Sequence, residues 1–177
     1  LKPGQLVIID EAYEPFAGLS WKDRLDEFPN VLVMRTLSKI GLAGVRLGYI
    51  FGAPEWINEI DKVRGPFNVG VLQQVAAEVL LDHYGELQRH AKLMVAERER
   101  LFAALSAMPG VKPFPSAANF VLARFADAAA VFDALKARGI LVRNLSAMHP
   151  LMAGTLRISV GTGPEMDALL AALREIL

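Results

Sequence analysis

The chain has 177 residues, of which 53% are apolar and 21% charged, enough for one core of ordinary size or two small ones. Lys plus Arg and Asp plus Glu stand at 19 each, so the net charge is zero and gives no sign of nucleic acid or an acidic membrane as partner. Cysteine is absent, which excludes disulfides and thiolate chemistry and leaves the cytosol as the default compartment; no apolar run reaches the length of a membrane span, and no signal peptide is visible.

Residues 1–10 read Leu-Lys-Pro-Gly-Gln-Leu-Val-Ile-Ile-Asp, a turn leading at once into an apolar strand with no initiator Met, so the chain reads as a fragment. Leu6 to Ile9 is a short continuous apolar run of the kind that forms a fully buried parallel strand. Asp10-Glu11-Ala12-Tyr13 follows it directly, and the stretch through Ser20 and Trp21 to Pro29 is polar and turn-like, with room for a short helix. Val31 to Met34 is a second buried strand, ending in Arg35-Thr36-Leu37-Ser38-Lys39. A loop broken by Gly41 and Gly44 leads into a third strand, Leu47 to Phe51, and the three strands are expected as neighbours in one α/β sheet. Pro54 to Val63 and Val71 to Asp82 have helical patterns, separated by the breaker Gly65-Pro66-Phe67-Asn68. Leu87 to Met108 is a longer helical run stopped by Pro109-Gly110.

A domain boundary is expected within that long helix, dividing the chain into residues 1–90 and 91–177. The second part reads as α+β: a strand over Asn119 to Ala123, a helix over Ala128 to Lys136 closed by Gly139, strands over Ile140 to Val142 and Leu156 to Val160, and a last helix after Gly161-Thr162-Gly163-Pro164.

Polar groups gather at the C-terminal ends of the first two strands, where open α/β sheets place their ligands. Asp10 ends the first; Thr36, Ser38 and Lys39 end the second; Arg46 leads into the third. A carboxylate, two hydroxyls, an amine and a guanidinium suit a compact anionic ligand with a cationic nitrogen, and pyridoxal phosphate (PLP) is such a ligand. The same residues also allow a structural Asp10–Arg46 ion pair with Lys39 on the surface. His83, His90 and His149 lack metal-ligand spacing and read as structural or solvated.

The stretch Leu37-Ser38-Lys39 with Gly41-Leu42-Ala43-Gly44-Val45-Arg46-Leu47-Gly48-Tyr49 resembles the cofactor-lysine segment of fold-type I PLP enzymes. With Asp10-Glu11-Ala12-Tyr13, Lys62-Val63-Arg64-Gly65-Pro66-Phe67-Asn68-Val69, Gly139-Ile140-Leu141-Val142-Arg143 and Leu156-Arg157-Ile158-Ser159-Val160-Gly161, it is similar to the C-terminal half of the histidinol-phosphate aminotransferases. The resemblance runs along essentially the whole chain. It implies an α/β fold of the aspartate aminotransferase type, with part of the large-domain sheet in residues 1–90 and a small α+β domain in 91–177.

For the site, the resemblance implies that Lys39 forms the Schiff base with PLP and, once freed, moves a proton at the substrate α-carbon. Asp10 would pair with the pyridine nitrogen and Tyr13 with the ring hydroxyl oxygen. Thr36, Ser38 and Arg46 would hold the cofactor phosphate. Arg157 would bind the carboxylate of the amino donor, glutamate, Arg143 the phosphate of histidinol phosphate, and Asn119 would border the substrate. The implied reaction exchanges an amino group between histidinol phosphate and 2-oxoglutarate in histidine biosynthesis, in a cytoplasmic homodimer with no nucleic-acid or membrane partner and no metal.

From Lys39 to Arg46 the loop is one residue shorter than in the Ser-Lys-Ala-Phe-Gly type, Ile40 standing for two residues. The resemblance places further contacts outside this chain: an N-terminal arm, a phosphate-wrapping loop, an aromatic stacked on the ring, an asparagine, and a tyrosine from the partner subunit. The fragment alone is therefore expected to be inactive. Alternatives kept open are an aromatic or other amino-acid aminotransferase, a threonine-phosphate decarboxylase-like enzyme, and a catalytically dead partner protein of the same fold.

Overall fold

The computed structural model describes residues 4–177. By contact density the chain divides into two compact units, Leu1–Ala91 and Lys92–Leu177.

In the first unit, β1 (Val7–Asp10), β2 (Val31–Thr36) and β3 (Gly48–Phe51) form a sheet in the order β1-β2-β3. The first pair is parallel, with Val7 opposite Val31 and Asp10 opposite Met34; the second is antiparallel, with Thr36 opposite Gly48. The connection from β1 to β2 contains a single-turn helix α1 (Glu14–Ala17) and a 3-10 segment over Lys22–Glu27. Apolar β-branched residues and leucine bury the central strand, with Leu32 and Val33 fully enclosed. The full burial expected of β1 does not occur: Ile8 is 54% exposed. The strand is a sheet edge, and the two-residue side-chain period turns Ile8 and Asp10 to the open face.

Two helices follow, α2 (Pro54–Val63) and α3 (Val71–Asp82), over the residues expected. Pro54 supplies the fixed φ of a first helical turn, where its missing N–H costs nothing. The long helix α4 (Tyr84–Ser106) begins three residues before the predicted start, and the chain passes from the first unit to the second within it. Among the described residues no helix is long and apolar enough to cross a membrane.

The second unit holds an antiparallel sheet ordered β4-β5-β7-β6, made of β4 (Val111–Phe114), β5 (Phe120–Phe125), β6 (Arg143–Asn144) and β7 (Thr155–Ser159). Alternate residues Val121, Ala123 and Phe125 of β5 face one core with Leu156 and Ile158 of β7, Leu101 and Leu105 of α4, and the inner faces of α5 (Ala128–Ala137) and α6 (Gly163–Ile176). Sequence reasoning missed β4, whose Pro113 cannot donate to a ladder; at the sheet edge this is tolerated. The strand expected over Ile140 to Val142 is not formed. Gly139 takes φ 76° and the Ile140 amide donates to the Leu135 carbonyl, so these residues close α5 instead, and pairing begins only at Arg143.

Candidate active site

Because β1 and β2 run parallel, their C-terminal ends lie at the same edge of the sheet, with Asp10 opposite Met34 and Thr36 two residues further along β2. Asp10 is exposed, and its Oδ1 accepts the Ala12 amide at 2.9 Å, which turns the chain sharply after the strand. Tyr13 follows as the residue preceding α1, its carbonyl accepting the amides of Phe16 and Ala17. Across the strand pair, the Thr36 hydroxyl donates to Ser38 Oγ at 2.8 Å and accepts the Ser38 amide at 3.1 Å. This local turn carries Lys39 back toward β1, where its Nζ lies 5.4 Å from the centroid of the Tyr13 ring. Lys39 is half-buried and joins no ion pair among the described residues.

Arg46 is exposed and lies in the left-handed region, φ 56°, where an ordinary residue costs about 1–2 kcal/mol. Its guanidinium donates to the Ala43 carbonyl at 3.4 Å, a long bond that leaves most of its donors open. No ion pair links Arg46 to Asp10 among the described residues, so the alternative of a structural Asp10–Arg46 pair is not what forms. A cavity of about 430 Å³ opens along these strands, lined by Asp10, Ala12, Met34, Arg35, Thr36, Gly48, Tyr49 and Ile50; Tyr13, Ser38, Lys39 and Arg46 are not among its lining residues. At Gly48 a Cβ would sit 3.1 Å from the Arg35 carbonyl, so the strand pair approaches closely there.

The reverse face of the same strand ends carries a network that sequence reasoning missed. Glu11 is buried and accepts from Ser20 Oγ at 2.9 Å, the Trp21 amide at 2.6 Å, and Arg35 Nε and Nη2 at 3.0 and 2.9 Å. Arg35 Nη1 also meets the Glu14 carboxylate at 3.3 Å. Burial pushes the Glu11 carboxyl upward, but the Trp21 amide and the Arg35 and Ser20 donors, with the Arg35 charge, outweigh it and hold the group below its ordinary value. The available signal was strand alternation: Glu11 follows Asp10 and Arg35 precedes Thr36, so their side chains take the sheet face opposite to those of Asp10 and Thr36.

In the second unit, Arg143 and Arg157 are direct cross-strand partners on β6 and β7 and share one sheet face. Like charges placed directly opposite repel, and no carboxylate pairs with either among the described residues. Arg157 stacks on Phe120, 5.2 Å from its centroid, and its buried Nε has no hydrogen-bond partner among the described residues. Guanidinium donors of this kind are suited to oxyanions, and the register sets Arg143 opposite Arg157. Asn119 ends the loop before β5, its carbonyl accepting the Val160 amide at 2.9 Å, and the preceding Ala118 is fixed by Ser116 and Arg98. His149 caps a 3-10 turn by accepting the Leu151 amide, and His90 lies 3.0 Å from Arg89. No group of three or more potential metal-ligating side chains occurs among the described residues.

Comparison with known proteins places the chain in a family. The model for "Aminotransferase class I and II" matches residues 2–173. The chain is 55% identical over 169 residues to histidinol-phosphate aminotransferase 1 of Burkholderia lata, covering 96% of this chain and 47% of the relative. It is 56% identical over 174 residues to the histidinol-phosphate aminotransferase of Methylibium petroleiphilum, with 98% and 47% covered. Among solved structures, the histidinol-phosphate aminotransferase of Sinorhizobium meliloti in complex with pyridoxal-5'-phosphate is 32% identical, TM-score 0.79, over 97% of this chain and 48% of that one. A decarboxylase from Sulfurospirillum multivorans is 29% identical, TM-score 0.85, over 97% and 52%. The chain spans about half the length of the curated relatives it matches. The expected α/β fold of fold-type I aminotransferases is borne out.

Proposed function

Because this chain belongs to the class I and II aminotransferases and is closely related to histidinol-phosphate aminotransferases, we propose that the protein carrying it exchanges an amino group between histidinol phosphate and 2-oxoglutarate or glutamate, using PLP. On this reading residues 1–90 are part of a large cofactor domain and 91–177 a small domain, in a cytoplasmic homodimer.

The observation that carries the reading is the Lys39 amine, free of any ion pair among the described residues and lying over the Tyr13 ring, directly after the hydrogen-bonded Thr36 and Ser38 in sequence. The residues present fit the cofactor. Asp10 Oδ2 is unengaged among the described residues and can hold a proton on a ring nitrogen. Tyr13 can donate its phenol proton to the ring hydroxyl oxygen. Thr36, Ser38 and the open donors of Arg46 suit a phosphate. PLP, when bound, supplies an aldehyde that condenses with amines and a ring that takes up the electron pair released at the substrate α-carbon. Lys39 would hold the cofactor through its amine and, once free, would move the proton at the substrate α-carbon.

The facing arginines Arg143 and Arg157 of the second unit support the substrate assignment, since one substrate brings a carboxylate and the other a phosphate. Arg157, oriented by Phe120, binds the carboxylate of glutamate; Arg143 takes the phosphate of histidinol phosphate; Asn119 borders the substrate. A second reading is a decarboxylase of the threonine-phosphate kind; the likeness to a decarboxylase from Sulfurospirillum multivorans supports the reaction type and not that substrate. The full-length protein, incubated with PLP and 2-oxoglutarate and with histidinol phosphate, phenylalanine or threonine phosphate in turn, separates these. Glutamate formed fastest with histidinol phosphate supports the proposal. Glutamate formed only with phenylalanine moves the substrate to an aromatic amino acid, and carbon dioxide released from threonine phosphate establishes the second reading.

A further inference from the structure

Arg98 takes no part in the proposed chemistry, yet it is the most buried cation among the described residues, 7% exposed. It lies on α4 within the second unit. Its Nε and Nη2 meet the carboxylate of Glu99, the next residue of the same helix, which is 62% exposed. An arginine at the surface could meet such a partner equally well, so this pair does not explain the burial. Nη1 reaches further and donates to the Ala118 carbonyl at 3.1 Å, in the loop between β4 and β5. That loop leads straight into the substrate-side residues. The Ser116 hydroxyl accepts the Ala118 amide at 3.1 Å and donates to the Phe120 carbonyl at 2.6 Å. The Asn119 carbonyl accepts the Val160 amide at 2.9 Å, and the β5–β7 ladder begins at once with Phe120 opposite Ser159. The Phe120 ring lies under the Arg157 guanidinium at 5.2 Å, and the buried Nε of Arg157 has no hydrogen-bond partner among the described residues. The ring, and not an acceptor at Nε, directs that arginine.

We infer that Arg98 is a positioning residue: through the Ala118 carbonyl it fixes the start of β5, and with it the Phe120 ring that directs Arg157, and so sets the affinity for the carboxylate substrate. This rests on the functional reading above. Residues 118–120 are held on two sides, by β7 at the Asn119 carbonyl and by α4 at the Ala118 carbonyl. The Ser116 bonds lie within the loop and move with it, whereas α4 has 23 residues and gives the loop a rigid support. A guanidinium buried this far must keep its donors bonded, which holds the Ala118 carbonyl to the helix.

The test is steady-state kinetics of the full-length protein with histidinol phosphate and 2-oxoglutarate, for wild type, Arg98→Met, Phe120→Leu and the Arg98→Met/Phe120→Leu double variant, with PLP titration and hydrogen exchange of the same proteins. Methionine keeps an apolar stem and removes the charge and the donors. Supporting side chains that orient ligand-binding groups contribute on the order of tenfold in affinity. The expected result is a KM for 2-oxoglutarate about tenfold higher in Arg98→Met, with kcat and PLP affinity retained. The Ala118 and Val160 amides should exchange faster in that variant, and the double variant should show no rise in KM beyond that of Phe120→Leu. If Arg98→Met does not fold, Arg98→Gln replaces it in the same cycle. An unmoved KM, unmoved exchange, a loss confined to kcat, or KM rises that multiply in the double variant overturn the positioning role, while wild-type turnover keeps the functional reading intact. A wild type that does not turn over this substrate pair overturns both.

Discussion

Replacing Glu11 by glutamine keeps the side chain's shape and removes its charge, so the loss can be worked out from its partners. Glu11 Oε1 accepts the Trp21 amide, and Oε2 accepts Ser20 Oγ and the Nε and Nη2 of Arg35. A glutamine can still accept from Trp21, but its NH₂ then faces the Arg35 donors. Arg35 Nε and Nη2 both meet the one oxygen Oε2, and losing this single charge-assisted contact costs about 1.5–3 kcal/mol net. The loss stays below the about 3–5 kcal/mol of a wholly abandoned buried charge, because Glu14 keeps hold of Arg35 at 3.3 Å. We expect Glu11→Gln to lower unfolding free energy by about 2–3 kcal/mol at neutral pH, read from urea denaturation of the full-length protein. The folded-state pKa of Glu11 lies below its reference value of 4.5. Its stabilisation is therefore complete above that reference value and is lost as pH falls through the lower folded value. The gap between wild type and variant should close with acidification over that window. A gap under about 0.5 kcal/mol at pH 7, or one unchanged by acid, would refute a buried, ionised Glu11 gripping Arg35.

Other perturbations test separate parts of the structure. Leu173→Ala removes a fully buried side chain of α6 and should cost about 2–5 kcal/mol in thermal or urea unfolding of the second unit. Asp127→Ala removes the acceptor for the Ala130 amide at the start of α5, with about 1 kcal/mol lost in the same measurement. Arg143→Ala, acting on a substrate phosphate, should raise the KM for histidinol phosphate about ten- to hundredfold while leaving PLP affinity unchanged; a loss of PLP affinity instead would move Arg143 out of the substrate site.

Strand ends were the most legible part of the sequence. Val31 to Met34 and Leu6 to Ile9 are apolar runs cut off by polar residues, and a parallel pair with polar C-terminal ends needs no tertiary detail to expect. Asp10 and Thr36 stand where that pattern puts them. The burial of Ile8 was misjudged because an apolar run has the same composition whether one or both of its faces are covered. Strand alternation sets Glu11 and Arg35 on one face, but that they bond was not legible, because they are 24 residues apart and meet only through the parallel register of β1 and β2. The same holds for Arg143 beside Arg157: only the β6–β7 register makes them neighbours. Ile140 to Val142 has strand composition, but the closure of α5 at Gly139 claims Ile140 first.

The central claim is that Lys39 is the lysine that anchors PLP. Borohydride reduction of the full-length protein after incubation with PLP, followed by digestion and mass spectrometry, fixes the cofactor to whichever amine it occupies. The account predicts a phosphopyridoxyl group on Lys39 in stoichiometric yield and none in Lys39→Ala. Incorporation at Lys22, Lys62 or Lys92 instead, or none at all in the wild-type protein, would contradict it.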